Sequence, residues 1–309
     1  MRENRFFTIL LCAVFYTAIL FASDEIAPWY EYDREAALKP EIISRVEGKN
    51  YEKVYFRYTS VGGEVVPGVL TLPDPDAHKP PFPVIVLMHG YMQDKENFIF
   101  AGFHKPFADK GWATVAIDAP YHGERPGKME DAFRTIETSE QFIKQYIFDV
   151  FRLLDYIETL PELDTERVGY FGISMGTIVG AIAAGIDERI RAMVLTLGGG
   201  DLACVFKDIN VAGAKNVKGF AGEEGVDALV ERFAYLDPVS YLRKISGRPV
   251  MFYNTRDDMV VRKECAENFH NAVGEPKKVI WGKGGHVLFP QQIVNQAIEW
   301  YGKYLDGGK

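Results

Sequence analysis

The sequence predicts a doubly wound α/β fold on a mostly parallel, eight-stranded sheet with flanking helices, and three observations carry that reading. From residue 53 onward, short β-rich runs alternate with helical patterns, the rhythm of successive strand–helix–strand units. Several runs, such as VIVLM at 84–88, are apolar without a break, as strands covered on both faces are. Right-handed crossovers through the helices then make those strands parallel.

Taken in order, KVYFRYTS (53–60) and EVVPGVLTL (64–72) flank Val61-Gly62-Gly63 and read as a hairpin at an antiparallel edge. A Pro-rich loop (73–83) leads into VIVLM. Further strands are expected at WATVAIDA (112–119), RVGYFGI (167–173), IRAMVLTL (190–197), PVMFYN (249–254) and KKVIW (277–281). Helices are expected near 99–110, 138–160, 175–185, 260–272 and 290–305. The strongest of these places Phe142, Tyr146, Val150, Leu153 and Ile157 at spacings of three and four, one apolar stripe. Residues 198–246 break the rhythm. They start at Gly198-Gly199-Gly200, look helical near 226–235, and read as a small lid or cap insertion over the carboxyl edge of the sheet.

Ahead of this domain (53–309) lie an extension (24–52) and an N-terminal segment (1–23). In the latter, Arg2 and Arg5 precede an uncharged run from Phe6 to Ala22, followed by Ser23-Asp24-Glu25. This is the layout of a secretory signal peptide, so a periplasmic or secreted protein is expected. The run is also just long enough for the alternative, a membrane anchor through residues 6–22.

Composition narrows the functional classes. With 47% hydrophobic and 25% charged residues the chain has ordinary globular content, and a net charge of −8 argues against a nucleic-acid partner, which needs clustered Lys and Arg. Three cysteines, one of them Cys12 in the apolar run, leave Cys204 and Cys265 for at most one disulfide. There is no CxxC pair, His-rich cluster or nucleotide-binding glycine fingerprint, so neither a metal nor a cofactor is expected.

The chemistry concentrates at Gly172-Ile-Ser174-Met-Gly176, a G-x-S-x-G motif between a strand and a helix. Glycine on both sides lets the chain reverse sharply and present Ser174 at positive φ on the rim of the sheet. A serine hydroxyl needs a base to become a nucleophile. Of the six histidines only His270 and His286 follow Ser174; His270 falls in a helical pattern, whereas His286 ends the glycine loop GKGGH and is the expected base. The carboxylate that would orient it is sought in NTRDDMVV, after the preceding strand. Asp257 is favoured for its spacing to Val260. Asp258, which in this place more often caps a helix or faces solvent, is the alternative, and Asp201 a third option. The backbone amides of Met175 and Tyr91 are the candidate oxyanion donors. His89 invites a catalytic reading but is expected to hydrogen-bond the loop backbone.

On HGY, GISMG, NTRDDMVV and GKGGH the chain resembles the α/β-hydrolases, in the serine-esterase branch around acetyl-xylan esterases and dienelactone-hydrolase-like proteins, over residues 53–305. The segment Asp118-Ala-Pro-Tyr-His-Gly-Glu-Arg is also similar, with Asp118, His122 and Gly123 shaping the pocket floor. The resemblance implies a serine carboxylesterase acting on short-chain esters through an acyl-enzyme, with acetyl or aryl esters of carbohydrate as candidate substrates. HGY replaces the longer glycine run of many lipases, which argues against a bulky acyl-bearing carbon. A thioesterase or acyltransferase on the same residues, and a noncatalytic binding protein of this fold, are the alternatives.

Overall fold

The computed structural model describes residues 27–207, 225–245 and 247–307. The chain divides into two compact units, residues 1–33 and 34–309. In the first, the described residues include a 3-10 turn, Ala27–Tyr30; the leader or anchor expected at residues 1–23 lies outside the described residues. The second holds everything that follows.

Nine strands, among the described residues, form one sheet: β1 Glu41–Glu47, β2 Tyr51–Thr59, β3 Val65–Pro73, β4 Phe82–Met88, β5 Ala113–Ile117, β6 Leu163–Ile173, β7 Ile190–Thr196, β8 Val250–Thr255 and β9 Lys277–Gly282. Their spatial order is β1-β2-β3-β5-β4-β6-β7-β8-β9. Pairing is antiparallel from β1 to β5 and parallel from β5 to β9. The doubly wound architecture is therefore the expected one, with a strand more than the eight expected. That strand, EIISRVE, starts inside the segment 24–52 read as an extension. Every one of its residues is exposed, so neither face carries the buried stripe by which a strand announces itself.

The continuous apolar runs behave as both-face-covered strands should: every residue of β4, β5 and β8 is buried. On one face Ile85, Leu87, Phe103, Phe107, Phe171 and Tyr301 belong to a single buried cluster, each large side chain contributing on the order of 2 kcal/mol by leaving water. The long helix runs Ile136–Glu158 and starts at a capping box, where the Thr135 hydroxyl accepts from the Thr138 amide at 3.2 Å.

One expected helix, 99–110, is two: Glu96–Phe100 and His104–Ala108. Gly102 between them has φ +72°, the left-handed conformation that ends a helix. The expected insertion contains helices Leu202–Lys207, Gly225–Arg232 and Pro238–Leu242; residues 208–224 of it lie outside the described residues. Cys204 and Cys265 are joined in a disulfide across 61 positions, tying the start of the insertion to the helix Lys263–Asn271. No helix among the described residues is long and apolar enough to cross a membrane.

Two buried histidines lock loops at the carboxyl edge. The His89 ring bonds to the Gly90 carbonyl through Nδ1 (2.8 Å) and accepts the Ala119 amide at Nε2 (3.1 Å), the backbone role expected of it. His270 Nε2 meets Asn254 Oδ1 at 2.9 Å, and Asn254 in turn donates to the Gly198 carbonyl. Burial pushes each imidazole pKa down from 6.5 to about 4. Both rings are thus neutral in the fold but take up protons readily once unfolded. Their contribution is complete above about pH 6.5 and is lost as pH falls toward 4, costing about 2 kcal/mol per ring at pH 5. Urea denaturation at pH 7.5 and pH 5.0 is expected to show the lower midpoint at pH 5.0, with the gap narrowed in His270→Gln; an equal gap in both proteins would refute the assignment.

Candidate active site

Strand β6 ends at Ile173, and the chain turns at Ser174 into the helix Met175–Ile186. Ser174 has φ 51° and ψ −110°, a backbone conformation that L-residues tolerate only where neighbours over-determine it. The neighbours do. The Ser174 amide donates to the Thr196 carbonyl at 2.8 Å, pinning the turn to β7. Thr177 Oγ1 lies 2.9 Å from the Gly172 carbonyl and accepts the Thr196 amide at 2.9 Å. The buried Tyr170 hydroxyl donates to the Gly176 carbonyl at 2.6 Å. A side chain at Gly172 would put its Cβ 2.7 Å from the Gly176 carbonyl oxygen, and one at Gly176 would collide with the carbonyls of Met88 and His89. Both glycines of the motif are therefore demanded by close backbone approach.

His286, in the loop after β9, brings Nε2 to 2.8 Å from Ser174 Oγ. Its Nδ1 lies 2.8 Å from Asp258 Oδ2. With the carboxylate accepting, Nδ1 carries the proton and Nε2 presents its lone pair to the serine hydroxyl, a tautomer assigned from this network. The Asp258 side chain is wholly buried and that of His286 is about one-fifth exposed. Ser174 and His286 of the sequence reading thus come together as expected.

Asp257 does not. The residue on the imidazole is Asp258, the alternative, and the sequence expectation of Asp257 is corrected. The two neighbours point apart, Asp258 inward and Asp257 to solvent, where its carboxylate accepts the Gly284 amide at 3.0 Å. The amide of Gly285 above all, with that of Gly284, holds the Asp257 carboxyl below its usual range. The capping role that had counted against Asp258 is also real. Its Oδ1 accepts the amides of Val260 (2.7 Å) and Val261 (2.9 Å) while Oδ2 holds the histidine. A carboxylate has two oxygens, so cap and orienter are one residue. Asp201, the third option, instead accepts from Asn268 and from the Cys204 amide, away from His286.

Met175 is the first residue of its helix, so its amide has no intrahelical acceptor. Tyr91 follows Gly90, whose position is so close to the serine that an added Cβ would lie 3.4 Å from the Cβ of Ser174. Gln93, which the sequence did not single out, shapes this turn by accepting the Gly90 amide at 2.9 Å. Asp118 lies beneath, fully buried, accepting from the Lys95 amide, Lys95 Nζ and the Glu124 amide at 2.8–3.0 Å. Burial alone would depress the Lys95 pKa, but its bonds to Asp118 and Glu124 outweigh that and raise it. Ser174 and His286 open into a cavity of about 540 Å³ lined also by Gly90, Tyr91, Phe98 and Leu288. Among the described residues no group of His, Cys, Asp and Glu could hold a metal ion.

Comparison with known proteins bears on the fold. Residues 83–224 match the family model described as alpha/beta hydrolase fold. The chain is 25% identical over 236 residues to the candidate esterase YitV of Bacillus subtilis, covering 72% of this chain and 89% of that one. It is 22% identical over 233 residues to the esterase YjfP of Escherichia coli, covering 73% and 90%. Among solved structures, an acetyl xylan esterase from Paenibacillus sp. R4 shares the fold, with a TM-score of 0.77 at 20% identity, covering 91% of this chain and 93% of that one. The chain has the alpha/beta-hydrolase fold.

The two aspartates are separable by experiment. Asp258→Asn should favour the wrong imidazole tautomer and slow fluorophosphonate labelling of Ser174 by about 10³- to 10⁴-fold. Asp257→Asn, which touches only the loop amides, should slow it less than tenfold. The reverse order would return the role to Asp257.

Proposed function

We propose that the protein is a serine carboxylesterase that hydrolyses carboxylic esters through an acyl-enzyme. The observation that carries the reading is the hydrogen-bonded chain Ser174–His286–Asp258, 2.8 Å at each link, at the edge of a sheet where a cavity opens.

In this mechanism Ser174 Oγ attacks the ester carbonyl while His286 Nε2 takes its proton. Asp258 holds the imidazole in register and stabilises the imidazolium, without itself taking the proton. Negative charge develops on the carbonyl oxygen, where the amides of Met175 and Tyr91 are the proposed donors; one such donor is worth about 3 kcal/mol in the transition state. His286 then returns its proton to the departing alcohol, forming the acyl-enzyme. Water, activated by the same histidine, releases the acid and frees Ser174.

The esterase names carried by YitV, YjfP and the Paenibacillus structure support an ester over a thioester or an acyl acceptor as the ordinary substrate. Export through residues 1–23 belongs to the same proposal and is checked by fractionating cells that express the full chain.

The purified enzyme is expected to release p-nitrophenol from p-nitrophenyl acetate or butyrate, with kcat/KM reduced at least 10³-fold in Ser174→Ala. Turnover unchanged in Ser174→Ala would refute a serine mechanism.

A further inference from the structure

Resting on the esterase reading, we infer that the substrate carries an apolar chain longer than acetyl, aliphatic or aryl, and that the site is not built for an acetylated sugar. The inference comes from the walls and the rim of the Ser174 cavity.

The walls are apolar. Phe98, Phe103, Ile173, Leu197 and Leu288 line the interior, and among the described residues no lysine, arginine, aspartate or glutamate reaches the lining. Besides Ser174, His286 and the Tyr91 phenol, the neutral polar side chains there are Gln93 and Asn97. Their carbonyl oxygens are already engaged, Gln93 by the Gly90 amide and Asn97 by the Asp94 amide at 2.7 Å. A sugar brings several hydroxyls, each of which loses its water on entering the cavity and needs a protein partner in return. Two amide nitrogens and one phenol at the rim are too few. A hydrocarbon chain makes no such demand and gains with every methylene it buries.

The rim continues in the same character. Tyr91, Met92, Val260 and Val287 line the mouth and are themselves substantially exposed, Met92 at 82%. Next in sequence to lining residues stand Phe100, Met259 and Phe289, with Phe100 85% and Met259 82% exposed. Exposed large apolar side chains scattered singly need no explanation, but grouped on the segments 91–100, 259–260 and 287–289 they mark a binding surface. Its continuity with the reacting atoms identifies the occupant. Met92 and Val260 line the same cavity as Ser174, so a chain attached to an ester there has apolar side chains to meet at the mouth. The cavity of about 540 Å³ falls within the range of sites that take small molecules.

Rates on p-nitrophenyl acetate, butyrate, hexanoate and octanoate, all below their solubility limits, together with acetylated xylan, test this on the full protein. Expected is a kcat/KM that rises from acetate to octanoate by about two- to fourfold per methylene, with acetylated xylan the poorest substrate. Met92→Ser/Val260→Ser, which alters two exposed side chains, should flatten that slope and lower the octanoate-to-acetate ratio at least threefold. Acetate or acetylated xylan as the best substrate would overturn the inference, as would an unaltered slope in the double variant. So would a rate increase confined to concentrations above the solubility limit, which would assign the rim to an aggregated lipid surface. If no ester is turned over and Ser174 resists fluorophosphonate, the esterase reading falls as well; ester turnover with acetate preferred sinks this inference alone.

Discussion

Everything at this site depends on one close approach of backbone to backbone. The helix Met175–Ile186 begins so tightly against the end of β4 that a methyl group at Gly176 would meet the carbonyls of Met88 and His89. That approach lets Ser174 stand in a conformation otherwise costing on the order of 1–3 kcal/mol. It also brings the loop after β4, with Gly90 and Tyr91, beside the serine. Thr177, Thr196 and Tyr170 hold the same turn from three sides with hydrogen bonds of 2.6–2.9 Å. Rigidity here is local and redundant. A nucleophile on such a turn does not have to be ordered when the substrate arrives.

Around this fixed point the carboxyl edge is held by a polar network of paired groups. Asp118 draws three donors from two loops, His89 ties the loop after β4 to the exit of β5, and Asn254 links β8 to His270 and Gly198. Buried polar groups of this kind are costly unless satisfied, and satisfied they admit one arrangement only. The walls of the cavity follow the opposite rule, being apolar and exposed toward the opening. The site therefore joins a hydrogen-bonded frame beneath the serine to a hydrocarbon-lined space above it.

Much of this was legible in the sequence. Uninterrupted apolar runs located the parallel strands because burial on both faces removes polar alternation, and the glycine spacing of GISMG located Ser174 because only glycine tolerates the contact. GKGGH located His286 by elimination among the histidines. Legibility ended where adjacent residues differ only in direction. Asp257 and Asp258 are chemically identical, and nothing in NTRDDMVV records that one faces the imidazole and the other the loop amides. β1 escaped because a strand with both faces in water leaves no pattern. Gln93 escaped because its role is set by the Gly90 amide, a partner that no composition records.

The disulfide has a consequence of a different kind. Cys204 and Cys265 close a covalent ring that contains the insertion from Cys204 onward, β8 and the Asp258 turn. A protease that nicked the chain anywhere between those cysteines would open the ring without releasing a fragment. The two pieces would stay bolted together, so that Ser174 and His286, always on opposite sides of the cut, could not drift apart. For a protein proposed to work outside the cell, that is tolerance of cleavage written into connectivity and not into the sequence of any one loop.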